Sequence, residues 1–230
     1  MISFDIERDF HNRNIIMIGV DEAGRGSWAG PLVSTACWFD FTKYKSLHSE
    51  INDSKKLKSC KRKEIILSLD NFVKYSSSIA SVYEIDNYGL SYANAIAMKR
   101  SIFAIIKELK NKQTYKRKDF CIYVDGKFKP DFKNLDNFLQ LKKLQLDSCS
   151  VEVLVKGDSL CKTIALASII SKETRDTIMR QMSKKYPSYS FDSHFGYGTS
   201  NHINAILKNG ILDLHRKSFK PIATIYSKTI

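Results

Sequence analysis

The sequence predicts an α/β protein: a mixed β-sheet flanked by helices, with a helical C-terminal part over about 185–230. Three observations carry that reading. Four short apolar runs, at 15–20, 32–39, 120–124 and 151–155, are rich in β-branched residues and have strand length. Two long segments, 91–110 and 159–184, place apolar residues at three- and four-residue spacing. Strands and helices also alternate along the chain, which is the order that packs helices onto the faces of one sheet.

Each element has its own justification. Ile15, Ile16, Met17, Ile18, Gly19 and Val20 form an apolar strand that runs into Asp21-Glu22-Ala23-Gly24-Arg25-Gly26, an acidic, glycine-bearing loop. After Pro31, the run 32–39 is close enough to pair with the first strand as an antiparallel hairpin. A third strand is expected at 74–82. Ala95, Met98, Ile102, Ile105 and Leu109 mark one face of a helix over 91–110, its other face solvated. The strand at 120–124 ends at Asp125-Gly126, and the strand at 151–155 ends at Lys156-Gly157-Asp158. Between them, 127–150 is rich in Lys, Asp and Leu and reads as an insertion holding one helix. The helix over 159–184 has a small-residue centre, Ala165, Ala167 and Ser168, suited to close packing. No repeat or linker divides the chain, so residues 1–230 are expected to form a single domain.

Composition narrows the function. Of 230 residues, 43% are hydrophobic, which excludes a disordered chain, while 37 Lys+Arg against 24 Asp+Glu give a net charge of +13. Such a chain is drawn to polyanions, nucleic acid first. Its first residues carry acids and no apolar run, and its longest apolar runs are too short to span a bilayer, so it is expected in the cytoplasm, off the membrane. Cys37, Cys60, Cys121, Cys149 and Cys161 form no CxxC or Cys/His pattern, so buried reduced thiols are expected rather than disulfides or zinc.

Three of the strands end in acids: Asp21 and Glu22, Asp125, and Asp158. Residues just past strand ends in such sheets line the crevice where ligands bind. Any one acid here is more often a cap or turn residue than a ligand, and Asp158-Ser159 is a good cap for the helix that follows. Four together would repel one another unless cations neutralised them, and the hard cations that prefer carboxylates are Mg²⁺ and Mn²⁺. An acidic knot on a basic chain suits two-metal phosphodiester hydrolysis, one ion preparing the attacking water and the other steadying the leaving oxygen. Neither GxxxxGK[ST] nor a strand-borne GxGxxG is present.

The block Gly19-Val20-Asp21-Glu22-Ala23-Gly24-Arg25-Gly26 with Ala29-Gly30-Pro31 resembles the signature of ribonuclease HII, the bacterial type 2 ribonuclease H. Further blocks follow in the family's order: Asp53-Ser54-Lys55-Lys56-Leu57, Val124-Asp125-Gly126, Lys156-Gly157-Asp158-Ser159, Ile164 to Asp176, His194 with Gly196-Tyr197-Gly198-Thr199, and His215-Arg216-Lys217-Ser218-Phe219. The resemblance implies a ribonuclease H-like fold and hydrolysis of RNA in RNA–DNA hybrids. It extends to cutting 5′ of single ribonucleotides in duplex DNA, leaving a 3′-hydroxyl and a 5′-phosphate.

By the same resemblance, Asp21 would bridge two divalent ions, Asp158 would help hold the nucleophile-side ion, and Glu22 and Asp125 the other. Gly24, Arg25 and Gly26 would bind the substrate, the glycines letting the backbone approach the 2′-hydroxyl that marks RNA. Tyr197 would pack on the ribose and sense the RNA-to-DNA junction. Ser54, Lys55 and Lys56 would hold the nucleic-acid backbone.

Six of the ten residues from 54 to 63 are basic, a density suited to a phosphate track. Lys172, Arg175, Arg216 and Lys217 are weaker candidates for the same task. Lys116-Arg117-Lys118 and Lys142-Lys143 read as solvated charge. Lys127 and Lys162 would put extra cations near the ions. His194, His202 and His215 lack metal-ligand spacing and read as packing residues. A monomer is expected. The rivals are a ribonuclease HIII-like enzyme, disfavoured by the short stretch before the first strand and by the Gly24-Arg25-Gly26 loop, and a non-catalytic nucleic-acid-binding module, which would break the acidic set.

Overall fold

A computed structural model describes residues 2–111, 119–126 and 148–227. The expected insertion up to residue 147 lies outside them, as do Lys116, Arg117, Lys118, Lys127, Lys142 and Lys143. The sheet is mixed, in the order β3-β2-β1-β4-β5. β1 (Ile16–Ala23), β2 (Leu32–Phe39) and β3 (Val73–Ala80) form an antiparallel meander, and β4 (Asp119–Asp125) and β5 (Ser148–Leu154) run parallel to β1. The fold class thus agrees with the sequence, with two corrections. Residues 148–150 belong to β5 and not to an insertion. Asp21 and Glu22 lie inside β1 rather than past its end, because pairing with β2 continues to Ala23↔Val33.

Alternation along β1 decides which helix each side chain meets. Ile16, Ile18 and Val20 pack with Phe120, Ile122 and Val124 of β4 against Met98, Ile102 and Ile105 of α4 (Leu90–Asn111). Met17 turns to the opposite face, where it packs with Phe10 of α1 (Asp5–Asn12) and Ile164 of the long helix described next. Each fully buried Ile or Leu of these layers contributes roughly 2–3 kcal/mol. A Cβ on Gly19 would lie 2.7 Å from the Ile164 amide nitrogen, so the bare backbone there lets the helix rest on the strand. Two residues of strand and four of helix each span about 6–7 Å, so this seating carries Ser168 alongside Asp21.

The expected helix over 159–184 is two pieces. A one-turn α5 (Gly157–Leu160) is followed by extended Cys161 and then by α6 (Lys162–Lys185). Asp158 does not cap the long helix. Glu7 of α1 does, its Oε1 accepting from the Thr163 amide at 2.9 Å, the Thr163 hydroxyl at 3.1 Å and the Cys161 thiol at 3.2 Å. That arrangement leaves the Asp158 carboxylate for other work.

α2 (Ser59–Leu67) and α3 (Val82–Tyr88) complete the first half. The C-terminal part adds α7 (Phe191–His194), α8 (Ser200–Asn209) and α9 (Ile222–Tyr226), packed around Ala29, Met179, Tyr189 and Ile206. Among the described residues no helix is long and apolar enough to cross a membrane. None of the five cysteines is in a disulfide. Cys37, Cys121 and Cys161 are buried as expected, whereas Cys149 is half-buried and Cys60 exposed.

Candidate active site

Parallel register carries two of the predicted acids to one place. Val20 pairs with Val124, so the next residues, Asp21 and Asp125, emerge side by side on the face covered by α6. Asp158 reaches them from α5, just past the neighbouring strand, and the Gly157 amide donates to Asp125 Oδ1 at 2.6 Å. Carboxylate oxygens of Asp21, Asp125 and Asp158 all lie within 4.8 Å of one another. Asp21 is further held by the Glu22 amide at 2.7 Å, with Ser168 close by.

Glu22, one residue on, falls on the α4 face and stands beside the trio. Asn94 of α4 lies beside it, Arg25 Nη1 is 3.4 Å from its Oε1, and its Oε2 is buried without a partner. Two neighbours were missed from the sequence. Asp53 adds its charge near Asp158, and Asn94 is a buried polar residue on the mostly apolar buried face of α4.

The protein's own cations compensate this cluster only in part. Burial, then Glu22 and Asp125, hold the Asp21 carboxyl well above the usual carboxylate range. Burial and Asp125 also raise Glu22, against the pull of Arg25. Burial, Asp125 and Asp53 raise Asp158, opposed by Lys55, whose ammonium is 3.8 Å away. Three hard oxygen donors within mutual reach, and a fourth carboxylate with an orphaned buried oxygen, fit small divalent cations.

The loop after β1 is clamped from behind. Arg175 of α6 donates to the carbonyls of Pro31 (2.9 Å), Ala29 (3.0 Å) and Phe195 (2.9 Å) and to the Ser27 hydroxyl (2.8 Å). Arg216 donates to the carbonyls of Gly30 (2.9 Å) and Arg25 (3.0 Å). Both arginines are fully buried, so neither is a phosphate ligand, and the expectation that they were is corrected. Gly24 has φ +98, and a Cβ there would lie 2.1 Å from Arg175 Nε, so this position admits only glycine.

Arg25 and Gly26 remain exposed at the loop's tip, beside Glu22. The Tyr197 ring packs against Arg175 at 5.3 Å, which ties it to the clamp behind the loop.

The basic run narrows. Asp53 caps a short 3₁₀ turn, Ser54–Lys56, by accepting from the Lys55 amide, and Lys55 and Lys56 stand exposed at the acidic mouth. Ser54 is buried, and its hydroxyl lies 2.9 Å from that of Ser168, so its side chain supports Asp21's neighbour rather than facing outward. Lys61 pairs with Glu50 and Glu64, and Arg62 is buried against Glu173 and Asp176, so neither belongs to a phosphate track. Lys172 and Lys217 are likewise engaged, with Asp176 and Asp213. Lys162 is buried, donating to the Ile51 carbonyl at 2.9 Å, and is spent there rather than near the acids. His194, His202 and His215 form a buried stack that belongs to none of the metal-capable groupings among the described residues.

A mixed five-stranded sheet flanked by helices, with carboxylates from two adjacent strands meeting a third from the short helix past the edge strand, defines a metal-dependent hydrolase of the ribonuclease H class. Comparison with known proteins narrows the class to a family. A family model described as ribonuclease HII matches residues 18–222. A ribonuclease HII of Ehrlichia canis (strain Jake) is 34% identical over 99% of this chain and 98% of its own length.

Among solved structures, the ribonuclease H2 from Pyrococcus horikoshii OT3 shares the fold with a TM-score of 0.69. It is 23% identical, over 93% of this chain and 98% of that one. A Bst-RNase HIII solved in complex with Mn²⁺ shares the fold with a TM-score of 0.66. It is 18% identical, over 94% of this chain and 70% of that one. The chain belongs to the ribonuclease HII family and is accordingly an endoribonuclease of the RNA–DNA hybrid type.

Proposed function

We propose that this chain hydrolyses the RNA strand of RNA–DNA hybrids and also cuts duplex DNA on the 5′ side of a single embedded ribonucleotide, leaving a 3′-hydroxyl and a 5′-phosphate. The observation that carries the reading is the juxtaposition of the Asp21–Asp125–Asp158 oxygens with the exposed tip of the Gly24-Arg25-Gly26 loop. Asp21, Asp125 and Asp158, with Glu22 beside them, would hold a pair of Mg²⁺ or Mn²⁺ ions. Bound there, such ions would supply positive charge to activate water and to steady the departing 3′-oxygen. The protein's own part is to hold four carboxylates close, through the Gly157 amide on Asp125 and the Glu22 amide on Asp21.

Substrate choice falls to the loop and Tyr197. The buried arginines take the carbonyls of Arg25, Ala29, Gly30 and Pro31, which fixes the loop and leaves its exposed tip to meet the 2′-hydroxyl. Tyr197 packs on the ribose at the junction, and Lys55 and Lys56 meet the phosphates. All these groups come from one chain, in keeping with a working monomer.

The test compares a duplex holding one ribonucleotide with an all-DNA duplex and a long hybrid, in Mg²⁺ and in Mn²⁺. Cutting on the 5′ side of the ribonucleotide, with the all-DNA duplex intact, is expected. Tyr197→Ala should lower kcat/KM about tenfold on the single ribonucleotide, the worth of one ring contact, and distinctly less on the hybrid. Equal cutting of the all-DNA duplex, or equal losses in the variant, would overturn the reading.

A further inference from the structure

We propose that His202 and His215 are positioning residues: a two-ring hydrogen-bond relay, running from the Leu212 amide to the Tyr197 carbonyl, that fixes the Tyr197 ring for reading the ribose. The functional half of this inference rests on the role given to Tyr197 above; the relay itself rests on geometry.

Proton placement follows from one end of the chain. The Leu212 amide donates to His215 Nδ1 at 2.9 Å, so that nitrogen is an acceptor. The Leu212 carbonyl, 3.3 Å from the same nitrogen, already accepts from the His215 amide. A neutral His215 therefore carries its proton on Nε2, which faces His202 Nε2 at 3.2 Å. Two facing ring nitrogens need one donor and one acceptor, so His202 Nε2 accepts. Its proton then sits on Nδ1 and donates to the Tyr197 carbonyl at 2.9 Å.

Both rings are fully buried and surrounded by rings. His194 stacks on His202 at 4.4 Å, with Trp28 and Phe191 each at 5.6 Å, and Tyr189 lies 5.5 Å from His215. The charged groups nearby are Arg175 against Tyr197, Arg216 next in the chain, and Asp192 beside His194. Burial keeps both relay histidines neutral, their pKa values down at about 4.

A phenylalanine would fill the same space at less cost, since a buried polar ring is tolerated only when its nitrogens are bonded. What the histidines add is a restraint where the chain has little of its own. Tyr197 sits between Gly196 and Gly198, both permissive of many backbone angles. The His194 carbonyl accepts its amide at 2.9 Å, and the relay takes its carbonyl, so both main-chain polar groups of Tyr197 are pinned.

The experiment pairs shape-keeping with donor-keeping variants. His202→Phe removes the donor, while His202→Asn places an amide N–H near the former Nδ1. The readout is the ratio of kcat/KM on the single-ribonucleotide duplex to that on a long hybrid. His202→Phe should lower the ratio about fivefold, and His202→Asn should restore it to within about twofold, the span of one neutral hydrogen bond. A purely structural role would lower both substrates together and leave the ratio unmoved. An unmoved ratio in His202→Phe beside a shifted one in Tyr197→Ala overturns the proposal, whereas an unmoved ratio in Tyr197→Ala overturns the reading of Tyr197. Independently of any variant's folding, ¹⁵N–¹H spectra of the histidine rings in the wild type at pH 7 should show His202 protonated on Nδ1 and His215 on Nε2. The reverse pattern overturns the relay.

Discussion

The acidic end of the sheet and the loop beside it both bury charge, and they settle it in different ways. Asp21 and Asp158 are 6% and 5% exposed and face other carboxylates. Arg175 and Arg216, both at 0%, face main-chain oxygens to which they donate. Burying an ion costs several kcal/mol unless its hydrogen bonds are replaced. The arginines replace theirs within the folded chain, so the loop region is complete as it stands. The acids do not, and their hard oxygen donors suit divalent cations from outside. The difference teaches which region is scaffold and which is reactive: the one whose electrostatics are left unfinished.

The sharpest way to break this comparison is Asp21→Asn. Losing the central carboxylate should cut hydrolysis roughly a thousandfold or more, about 4 kcal/mol of transition-state stabilisation, read as kcat on a long hybrid. Stability should move the other way. In EDTA, at a pH high enough to ionise Asp21, the variant has one buried like charge fewer, so it should melt higher than the wild type by about 2–4 °C for each kcal/mol relieved. Mg²⁺ should raise the wild-type Tm and narrow that gap. A variant that melts lower in EDTA would mean that Asp21 is compensated by the protein after all.

Arg175→Met tests the other side. It keeps bulk and removes every donor, leaving the carbonyls of Ala29, Pro31 and Phe195 buried without this partner. A loss of about 4 kcal/mol is expected, a fall in Tm of roughly 8–16 °C. Arg175→Lys should recover little, because an ammonium cannot reach several diverging carbonyls as a planar fork does. A small loss would show that the loop stands without its clamp.

The histidine stack on the same side gives a pH signature. His202 and His215 are held neutral down to about pH 4 when folded but take protons near 6.5 when unfolded. Between those values the unfolded chain binds more protons, so stability is lost as pH falls from about 6.5 towards 4. Thermal melts across that range should show the loss in the wild type and less of it in His202→Phe. A pH-independent difference between the two would place the charge elsewhere.

Legibility in the sequence followed the same division. Most of the sheet was readable because β1, β2 and β4 hold apolar runs of strand length, and Asp125 and Asp158 because each follows an apolar run by one or a few residues. Asp21 was found but placed past its strand, since pairing with β2 carries the ladder beyond the apolar residues. The clamp was not readable. Arg175 and Arg216 have the composition of surface charge, and only the fold brings Pro31 and Gly30 to them across 144 and 186 residues. Glu7 was overlooked for the same reason, as it caps a helix that begins 155 residues later. Arg62 finds its carboxylates more than 100 residues on, in Glu173 and Asp176. Asn94 did leave a signal, a polar residue four before Met98 on the helix's apolar face.

The smallest expected effect falls where the two regions' logic meets, at Lys55. Its ammonium lies 3.8 Å from Asp158 Oδ2, yet its side chain is 79% exposed. A pair so open to water is worth less than about 1 kcal/mol, so Lys55→Ala should leave the Tm nearly unchanged. If the lysine meets substrate phosphate, the variant should raise KM for the hybrid severalfold. The slope of log affinity against log salt should then fall by about one phosphate's worth. If instead it serves only to soften the repulsion around Asp158, the salt slope stays put. Divalent ions then bind more tightly, because removing a cation beside the acids leaves the exogenous ions less competition. Measuring both on one variant separates a residue that belongs to the substrate from one that belongs to the unfinished charge.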